Sequence, residues 1–281
     1  MKNVLILLNY NDYKTTSDFL HKVKEYKNID KIVVVDNCSL DNSFKKLKKF
    51  ECKKIDVIEN NHNSGYAAGN NYGIKYAIKN YTPDNIIVSN PDVIFEDNVV
   101  KIMEDYLLKN KKVGMIAPQM KNNKIKFYKY DFVECIISLF LILGKFYKSS
   151  IPKDDIWIPG SLFMMPVKVY NDIDCFDENT FLYCEEAIIS RKLESKNYKL
   201  KILKNIEYIH NHSVTIKKIY KSKMIPFNIY YKSLYYYCCH YLNINWIQKV
   251  IFKLFYSLAY CERLVYDMYC RFNSKKYRKK I

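Results

Sequence analysis

The segment NIIVSNPDVIF (residues 85–95) places a carboxylate, Asp92, directly after a run of β-branched residues. The apolar run 86–88 predicts a buried strand, and Pro91 has no amide hydrogen with which to continue a central ladder. Because ligands bind beyond the carboxyl ends of strands in open α/β sheets, Asp92 is a candidate ligand for a hard divalent cation. An Asx turn, which needs no ligand, is the alternative that the local sequence allows.

Two further carboxylates, Glu185 and Glu186, open a segment (about 185–196) with the pattern of a helix. Negative charge is favourable at the start of a helix, which is a sufficient structural reason for both residues. Adjacent side chains point to different sides of a helix start, so one of the two is expected to face a substrate as a general base. The residues alone leave open which of them does so.

Two histidines, His210 and His212, follow the strand-like segment ILKNIEYI (202–209). Their spacing puts both side chains on one face of a strand. A contact to a metal or a diphosphate is one interpretation of the pair, and ordinary hydrogen bonding is the other.

The first part of the chain alternates strand-like and helix-like segments that could position these groups. Strands are predicted over residues 4–8, 31–36, 55–60 and 86–90, and helices over about 16–26, 67–80 and 97–110. This rhythm predicts an α/β fold, with a mostly parallel central sheet flanked by helices. Right-handed crossovers then bring the strand ends to one edge. The polar residues that follow the four strands are Asn9 and Asn11; Asp36, Asn37 and Ser39; Asn60, Asn61 and Asn63; and Asn90 and Asp92.

Gly65, Gly69 and Gly73 recur every four residues and share one face of a predicted helix. Glycine allows a close approach of the backbone, either to a strand or to a ligand. For these glycines alone, tight packing is the favoured interpretation. Further along, residues 119–155 predict an irregular insertion, and residues 157–166 return to a strand-like pattern.

The composition fits a folded protein with an anionic partner. The 281 residues are 49% hydrophobic, which excludes global disorder, and the net charge is +17. Such a charge favours nucleic acid, an anionic membrane surface or a phosphorylated substrate, although a solvated lysine-rich face also explains it. The nine cysteines include no C-x-x-C pair, so we expect a reducing compartment and no zinc site. The chain shows no secretory signal, and its most apolar run, 136–144, is too short to span a membrane.

The C-terminal segment, residues 216–281, is basic and rich in tyrosine. It predicts an amphipathic helix with a polybasic end. The predicted apolar stripe is Ile247, Val250, Ile251, Leu254, Phe255, Leu258 and Ala259. A helix that lies on a membrane and a helix that covers the protein's own core or a partner both fit this pattern.

Motifs in a fixed order along residues 3–215 resemble those of the family 2 inverting glycosyltransferases with the GT-A fold, in particular the rhamnosyltransferase-like branch. The matching segments are NYN (9–11), IVVVDNCSLDNS (32–43), NHNSGYAAGNNYGI (61–74), SNPDV (89–93), GSLFMMP (160–166), FDENTFLYCEE (176–186) with Arg191, and IHNHS (209–213). Each motif is weak alone. Their order and spacing are specific for the family and much less so for any one sugar.

The resemblance implies roles for individual residues. It implies Glu186 as the catalytic base, with Glu185 as the alternative, and Asp92 with His210 or His212 near a Mg²⁺ or Mn²⁺ ion and the donor diphosphate. The residues that it assigns to the nucleotide sugar are Asn9, Asp36, Asn63, Gly65, Asn70, Asn90 and Arg191. The sequence departs from the family pattern at Asn90, which replaces the first metal-binding carboxylate, at Glu186, which replaces Asp, and at Cys175, which replaces Gly.

The resemblance also implies domains and a function. We expect a GT-A domain over 1–215, with a nucleotide-sugar half (1–118) and an acceptor half (156–215), followed by a helical extension (216–281). The expected reaction moves a sugar from a nucleotide-diphosphate donor to a hydroxyl of a glycan or lipid-linked acceptor in cell-surface polysaccharide synthesis. The expected location is cytoplasmic, at the inner face of the cell membrane and on its anionic surface, with no nucleic-acid partner.

Two other functions are consistent with parts of the sequence. A sugar-phosphate nucleotidyltransferase has a similar sheet, but NYNDYKT (9–15) lacks the Gly and Arg expected of its early loop. A basic module that binds nucleic acid or membrane explains the charge but leaves the polar strand ends unexplained.

Overall fold

The computed structural model describes residues 1–121, 131–146, 157–211 and 224–278. The chain divides into two compact units, one formed by residues 1–127 and 156–215 and the other by residues 128–155 and 216–281. The elements in chain order are β1 (Asn3–Asn9), α1 (Tyr13–Val23), β2 (Lys31–Asp36), α2 (Ser43–Leu47), a 3-10 turn (Lys48–Phe50), β3 (Ile55–Glu59), α3 (Tyr66–Tyr81), β4 (Asn85–Ser89), β5 (Val93–Ile94), α4 (Asp97–Lys109), β6 (Val113–Met120), α5 (Phe132–Leu139), α6 (Leu143–Phe146), β7 (Leu162–Pro166), α7 (Val167–Asp172), α8 (Glu185–Ser195), β8 (Lys199–His210), α9 (Met224–His240) and α10 (Trp246–Arg278).

The first unit is built on one sheet with the strand order β3-β2-β1-β4-β7-β6-β8-β5. Strands β3, β2, β1 and β4 are parallel neighbours, as are β6 and β8. Strand β7 is antiparallel to both β4 and β6, and the short β5 is antiparallel to β8. The predicted α/β class with a mostly parallel sheet is therefore confirmed, as is the helical C-terminal region.

Both faces of the sheet are covered by apolar side chains, and this explains the continuous apolar strands. In β1, Leu5 and Leu7 pack into one buried cluster with helices α1 and α4, while Val4 and Ile6 pack into a second cluster with α3 and α7. All four side chains are completely buried. Each contributes roughly 1.5–3 kcal/mol to folding relative to an exposed side chain.

Helix α3 lies unusually close to the sheet because two of its glycines face β1 and β2. A Cβ atom at Gly69 would lie 2.6 Å from Leu8 Cδ1, and one at Gly73 would lie 2.6 Å from Val35 Cγ2 and 2.8 Å from Ile6 Cγ2. For Gly69 and Gly73, the prediction of tight packing is confirmed.

The structure also differs from the sequence predictions. Strand β6 (Val113–Met120) was not predicted, and β7 begins at Leu162, so the first half of the strand-like segment 157–166 is not strand. The predicted irregular insertion contains two helices, α5 and α6.

The second unit holds helices α5, α9 and α10 together through side chains of α10. The carboxylate of Glu262 accepts hydrogen bonds from the backbone amides of Leu141 (2.9 Å) and Ile142 (3.0 Å). Arg263 Nη2 donates to the carbonyl of Leu139 (2.9 Å), and the ring of Tyr256 stacks on that of Tyr231 of α9 with centroids 3.6 Å apart. Among the helices that the structure describes, none is long and apolar enough to cross a membrane.

Candidate active site

The ends of β1 and β2 form a buried polar corner of the sheet edge. Asp36 is completely buried, and its two oxygens accept hydrogen bonds from Asn9 Nδ2 (2.7 Å) and from the amide of Ser39 (2.8 Å). Asn9 Oδ1 in turn accepts from the hydroxyl of Thr16 (2.7 Å). In this arrangement Asp36 fixes the loop that follows β2. Because Asp36 is completely buried, its carboxylate can contact a ligand directly only if the residues that cover it move.

A chain of amides connects this corner to the start of α3. Asn60 Nδ2 donates to Asn37 Oδ1 (3.0 Å), and Asn37 Nδ2 donates to Asn63 Oδ1 (2.9 Å). Asn63 Oδ1 also accepts from the amide of Gly65 (3.0 Å). Gly65 has φ +106°, and any Cβ there would overlap the carbonyl of Phe181. The predicted site residues Asn63 and Gly65 therefore shape the turn into α3.

The segment after β4 lies beside the end of β8. The antiparallel pairing of β5 with β8 sets Val93 opposite His210, and Asp92 Oδ1 lies 3.1 Å from His210 Nε2. The amide of Asn211 donates to the carbonyl of Asp92 (2.9 Å). The structure thus brings Asp92 and His210 together from positions 118 apart in the chain. His212 lies outside the described residues.

The donor atoms of this pair suit a divalent cation whose coordination is completed by ligands from outside the protein. Within the described residues, no group of three or more His, Cys, Asp or Glu side chains could hold a metal. Asp92 and His210 supply an oxygen and a nitrogen close enough to bind one ion. Mg²⁺ and Mn²⁺ sites often combine one or two protein ligands with water and substrate phosphate oxygens. The pair fits such a site and does not fit a cage made by the protein alone.

The two carboxylates at the start of α8 have different surroundings. Glu185 is buried, and burial together with the neighbouring charge of Glu186 raises the pKa of Glu185 to about 8. Glu186 is partly exposed, and its Oε1 accepts a hydrogen bond from the amide of Gly160 (3.1 Å). Of the two, Glu186 is therefore the side chain that a substrate could reach.

The segment Gly160–Ser161 connects Glu186 to the end of β4. Tyr66, the first residue of α3, donates its hydroxyl hydrogen to the carbonyl of Gly160. The carbonyl of Ser161 accepts from the amide of Asn90 (2.8 Å), and the Ser161 hydroxyl is 2.7 Å from that of Tyr208. Burial and the charges of Glu186 and Glu185 raise the pKa of Tyr66, so its hydroxyl stays protonated as a donor.

The remaining two predicted residues, Asn70 and Arg191, form contacts within their own helices. Asn70 is completely buried, and its Nδ2 donates to the carbonyl of Tyr66 (2.9 Å), one turn back on α3. Arg191 forms an ion pair with Glu194 of its own helix (3.2 Å). Asn70 therefore stabilises the first turn of α3, which begins with Tyr66. Because Asn70 is completely buried, it can contact a nucleotide only if neighbouring residues move.

The sequence reasoning missed Tyr66, Gly160 and Tyr208 as parts of the site. Tyr66 and Gly160 lie within the quoted motifs, but their contact joins residues 94 positions apart. Tyr208 lies on a strand whose exposed and buried residues do not alternate cleanly. The one sequence signal for Tyr66 as a site residue is its position directly after Gly65, at the start of α3.

Comparisons with known proteins bear on the family and the fold of the chain. The profile of the family described as "Glycosyl transferase family 2" matches residues 4–173. Over 219 residues the chain is 26% identical to the low-salt glycan biosynthesis hexosyltransferase Agl10 of Haloferax volcanii, covering 75% of this chain and 67% of Agl10.

Solved structures of glycosyltransferases share the fold. The mannosyltransferase PcManGT of Pyrobaculum calidifontis, in complex with GDP-Man and Mn²⁺, superposes with a TM-score of 0.54 at 12% identity, over 76% of this chain and 58% of its own. TarS 1–349 of S. aureus, in complex with UDP-GlcNAc, gives a TM-score of 0.57 at 15% identity, over 91% of this chain and 70% of its own. The chain thus spans less than two thirds of PcManGT. Because the family profile extends over most of the first unit, and the fold is that of these GT-A enzymes, the chain belongs to glycosyl transferase family 2.

Proposed function

We propose that the protein transfers a sugar, with inversion at the anomeric carbon, from a nucleotide-diphosphate donor to a hydroxyl group of a glycan or lipid-linked acceptor. The observation that carries the proposal is the placement of Glu186. Its carboxylate is hydrogen-bonded to Gly160, whose neighbour Ser161 is hydrogen-bonded to Asn90. A carboxylate that can accept a proton is thereby connected to the end of β4, which is followed by Asp92 beside His210 of β8.

Glu186 has the role of general base. One oxygen is held by the Gly160 amide, and no hydrogen bond within the described structure occupies Oε2. Oε2 would take the proton of the acceptor hydroxyl while the acceptor oxygen bonds to the anomeric carbon and the bond from that carbon to the diphosphate breaks. A single displacement of this kind inverts the configuration and needs no protein nucleophile.

Glu185 has a supporting role. With a pKa of about 8, it carries a proton at neutral pH and adds no second negative charge beside Glu186. The adjacent carboxyl groups thus divide into one that is buried and protonated and one that is accessible and reactive.

Asp92 and His210 would hold a divalent cation at the donor diphosphate. Such a cation supplies positive charge that stabilises the leaving diphosphate. The complexes of PcManGT with GDP-Man and Mn²⁺ and of TarS with UDP-GlcNAc support a nucleotide-sugar donor. Asn9, Asp36, Asn37 and Asn63 would shape the nucleotide side of the site, where their hydrogen bonds hold the loops in place.

The relatives also inform the acceptor. Agl10 is named as a hexosyltransferase of glycan biosynthesis, which supports a glycan or lipid-linked saccharide as the acceptor of this protein. The rhamnosyltransferase-like branch stays a prediction from the motifs.

Transfer assays with two matched variants test the proposal. The wild type is supplied with a panel of nucleotide sugars, Mn²⁺ and saccharide acceptors, and the anomeric configuration of the product is read by NMR. We expect Glu186→Gln to lower kcat by about 10²–10⁴-fold and Glu185→Gln to keep activity within about tenfold. Retention of the donor's anomeric configuration, or full activity of Glu186→Gln, would show that the proposed reaction is wrong.

A further inference from the structure

Helix α10 exposes a row of large apolar side chains along most of its length. We call this row the apolar stripe: Ile247, Val250, Leu254, Leu258, Val265 and Met268, which are 50–69% exposed. It differs from the stripe predicted from the sequence, because Ala259 of the predicted set is completely buried, while Val265 and Met268 extend the row. Successive members are three to seven residues apart, so they follow one side of the helix. Trp246, at the start of the helix, is 74% exposed. Soluble monomers rarely expose apolar rows of this extent, and such surfaces mark a binding partner.

The opposite side of α10 is packed and fixed in place. Phe252 and Ala259 are completely buried, and Tyr256 stacks on Tyr231 of α9. Glu262 and Arg263 are hydrogen-bonded to the backbone at the end of α5 and just beyond it. The apolar stripe is therefore the outer face of an anchored helix, and its exposure does not result from a loose end.

The charges of the segment that carries the stripe indicate the chemistry of the partner. Residues 246–281 contain nine Lys and Arg residues but two acids, Glu262 and Asp267. Glu262 is engaged with the backbone amides of Leu141 and Ile142, away from the stripe. Lys249 and Lys253 lie together on one flank of the stripe, and Lys253 is exposed. A surface that is apolar with one basic flank is complementary to an anionic lipid surface.

A second copy of the chain is a poorer match for this face. Pairing two stripes would bring together two strongly basic helices, each within a chain of net charge +17. Like charges at a contact oppose association, whereas the same charges attract anionic headgroups. The exposed Trp246 and Tyr269 add aromatic side chains of the kind that favour the membrane–water interface.

We propose that the apolar stripe of α10 docks on an anionic lipid bilayer, with the helix lying along the surface. The 33-residue helix is about 50 Å long, and its polar and basic positions fit an interfacial helix and not a spanning one. The flanking lysines contact headgroups while the stripe enters the region between headgroups and acyl chains. This inference stands apart from the proposed sugar transfer, since bilayer binding requires neither donor nor acceptor.

Vesicle flotation with the full chain tests the docking surface. The probes are vesicles of phosphatidylcholine alone and vesicles of equal parts phosphatidylcholine and phosphatidylglycerol. We expect the wild type to float with the anionic vesicles. The double variant Leu254→Gln with Leu258→Gln should bind at least about tenfold more weakly, because two apolar side chains no longer enter the bilayer. The double variant Lys249→Gln with Lys253→Gln should lose about fivefold in affinity per lysine.

A matched control and a fluorescence readout sharpen the test. Leu40→Gln with Leu108→Gln replaces two exposed leucines of the first unit and should bind like the wild type. The chain has two tryptophans, and Trp157 is 8% exposed, so a blue shift of emission on vesicle addition should come from Trp246 and vanish in Trp246→Phe.

Three outcomes would overturn the proposal. They are wild-type protein that stays unbound to anionic vesicles at low salt, equal binding by the stripe variant with unchanged circular dichroism, and a dimer that the stripe variant converts to a monomer while vesicles bind neither form. The third outcome would assign the face to a second copy of the chain.

Discussion

Glu185 and Glu186 show, at the scale of single residues, how strongly surroundings divide two identical side chains. Glu186 reaches the Gly160 amide at the accessible side of the helix start, while Glu185 is enclosed. Enclosure removes water from the charged form of Glu185 and raises its pKa from the ordinary 4.5 to about 8. The sequence could name the pair, but burial decides which member can act.

This pKa shift predicts a pH dependence of stability. The folded protein keeps the Glu185 proton up to about pH 8, while the unfolded chain releases it near pH 4.5. The contribution of Glu185 to the free energy of unfolding is therefore fully present below pH 4.5 and is lost as the pH rises to about 8. Over this range we expect the free energy of unfolding of the wild type to fall, relative to that of Glu185→Gln, by an amount on the order of a few kcal/mol. The Tm of the wild type should fall relative to that of the variant accordingly. Parallel Tm profiles for the two proteins would contradict the assignment.

Gly65 gives a second prediction at this scale. Its φ of +106° disfavours L-residues, and an added Cβ would overlap the backbone carbonyl of Phe181. We expect Gly65→Ala to lower the free energy of unfolding by more than about 2 kcal/mol and to weaken donor binding, because the turn into α3 must move. Gly144→Ala in α6 is the matched control, since its Cβ would lie 3.6 Å from the nearest atom. Urea denaturation checks both variants, and equal losses in the two would contradict the prediction.

Candidate residues of the site were easier to name from the sequence than the contacts between them. Asp92 and Glu186 follow a strand and open a helix, where residue type and position already suggest a role. The contact of Tyr66 with the carbonyl of Gly160 cannot be predicted from the sequence, because every residue has a backbone carbonyl that could accept the hydrogen bond. The burial of Asp36 was also unpredictable, since an aspartate after a strand looks the same whether it faces solvent or Asn9 and Ser39.

The contact between α3 and the sheet can be tested at the scale of elements. Ile6 and Val35 are completely buried, and both lie within 2.8 Å of the position that a Cβ would take at Gly73. We expect Gly73→Ala to lower the free energy of unfolding by about 1–3 kcal/mol, because α3 must move away from β1 and β2. Thermal and urea unfolding measure the loss. A variant that is more stable than the wild type would show that α3 can shift without cost.

Three of the strands that the sequence revealed are buried on both faces, whereas the fourth, β3, is half-exposed. Strands β1, β2 and β4 are nearly continuous runs of Val, Ile and Leu, as central parallel strands require. Strand β6 contains Gly114 and Pro118, which break the pattern of a strand. Gly114 is needed because a Cβ there would lie 2.8 Å from Leu193 and Tyr198 side-chain atoms. That reason comes from tertiary contacts, which local patterns do not record.

The whole molecule combines a strongly basic composition with the proposed site for an anionic donor. A net charge of +17 favours association with diphosphates and with anionic lipids alike. This electrostatic attraction weakens as salt is added. Charge alone thus selects neither partner. Selection comes from the polar strand ends in the first unit and from the apolar stripe in the second.

Metal and donor binding should be visible in the stability of the entire protein. A ligand that binds the folded state alone raises stability by RT ln(1 + [L]/Kd), which is about 2.7 kcal/mol at a hundredfold excess over Kd. We expect a nucleotide sugar with Mn²⁺ to raise Tm more than either alone, and Asp92→Asn to remove the added effect of Mn²⁺. Asp105→Asn is the control, because this exposed side chain pairs with Lys101 on the surface and its loss costs little. If Asp92→Asn keeps the full Mn²⁺-dependent shift, the cation binds elsewhere, and Asp92 and His210 form a hydrogen-bonded pair that only holds β5 against β8.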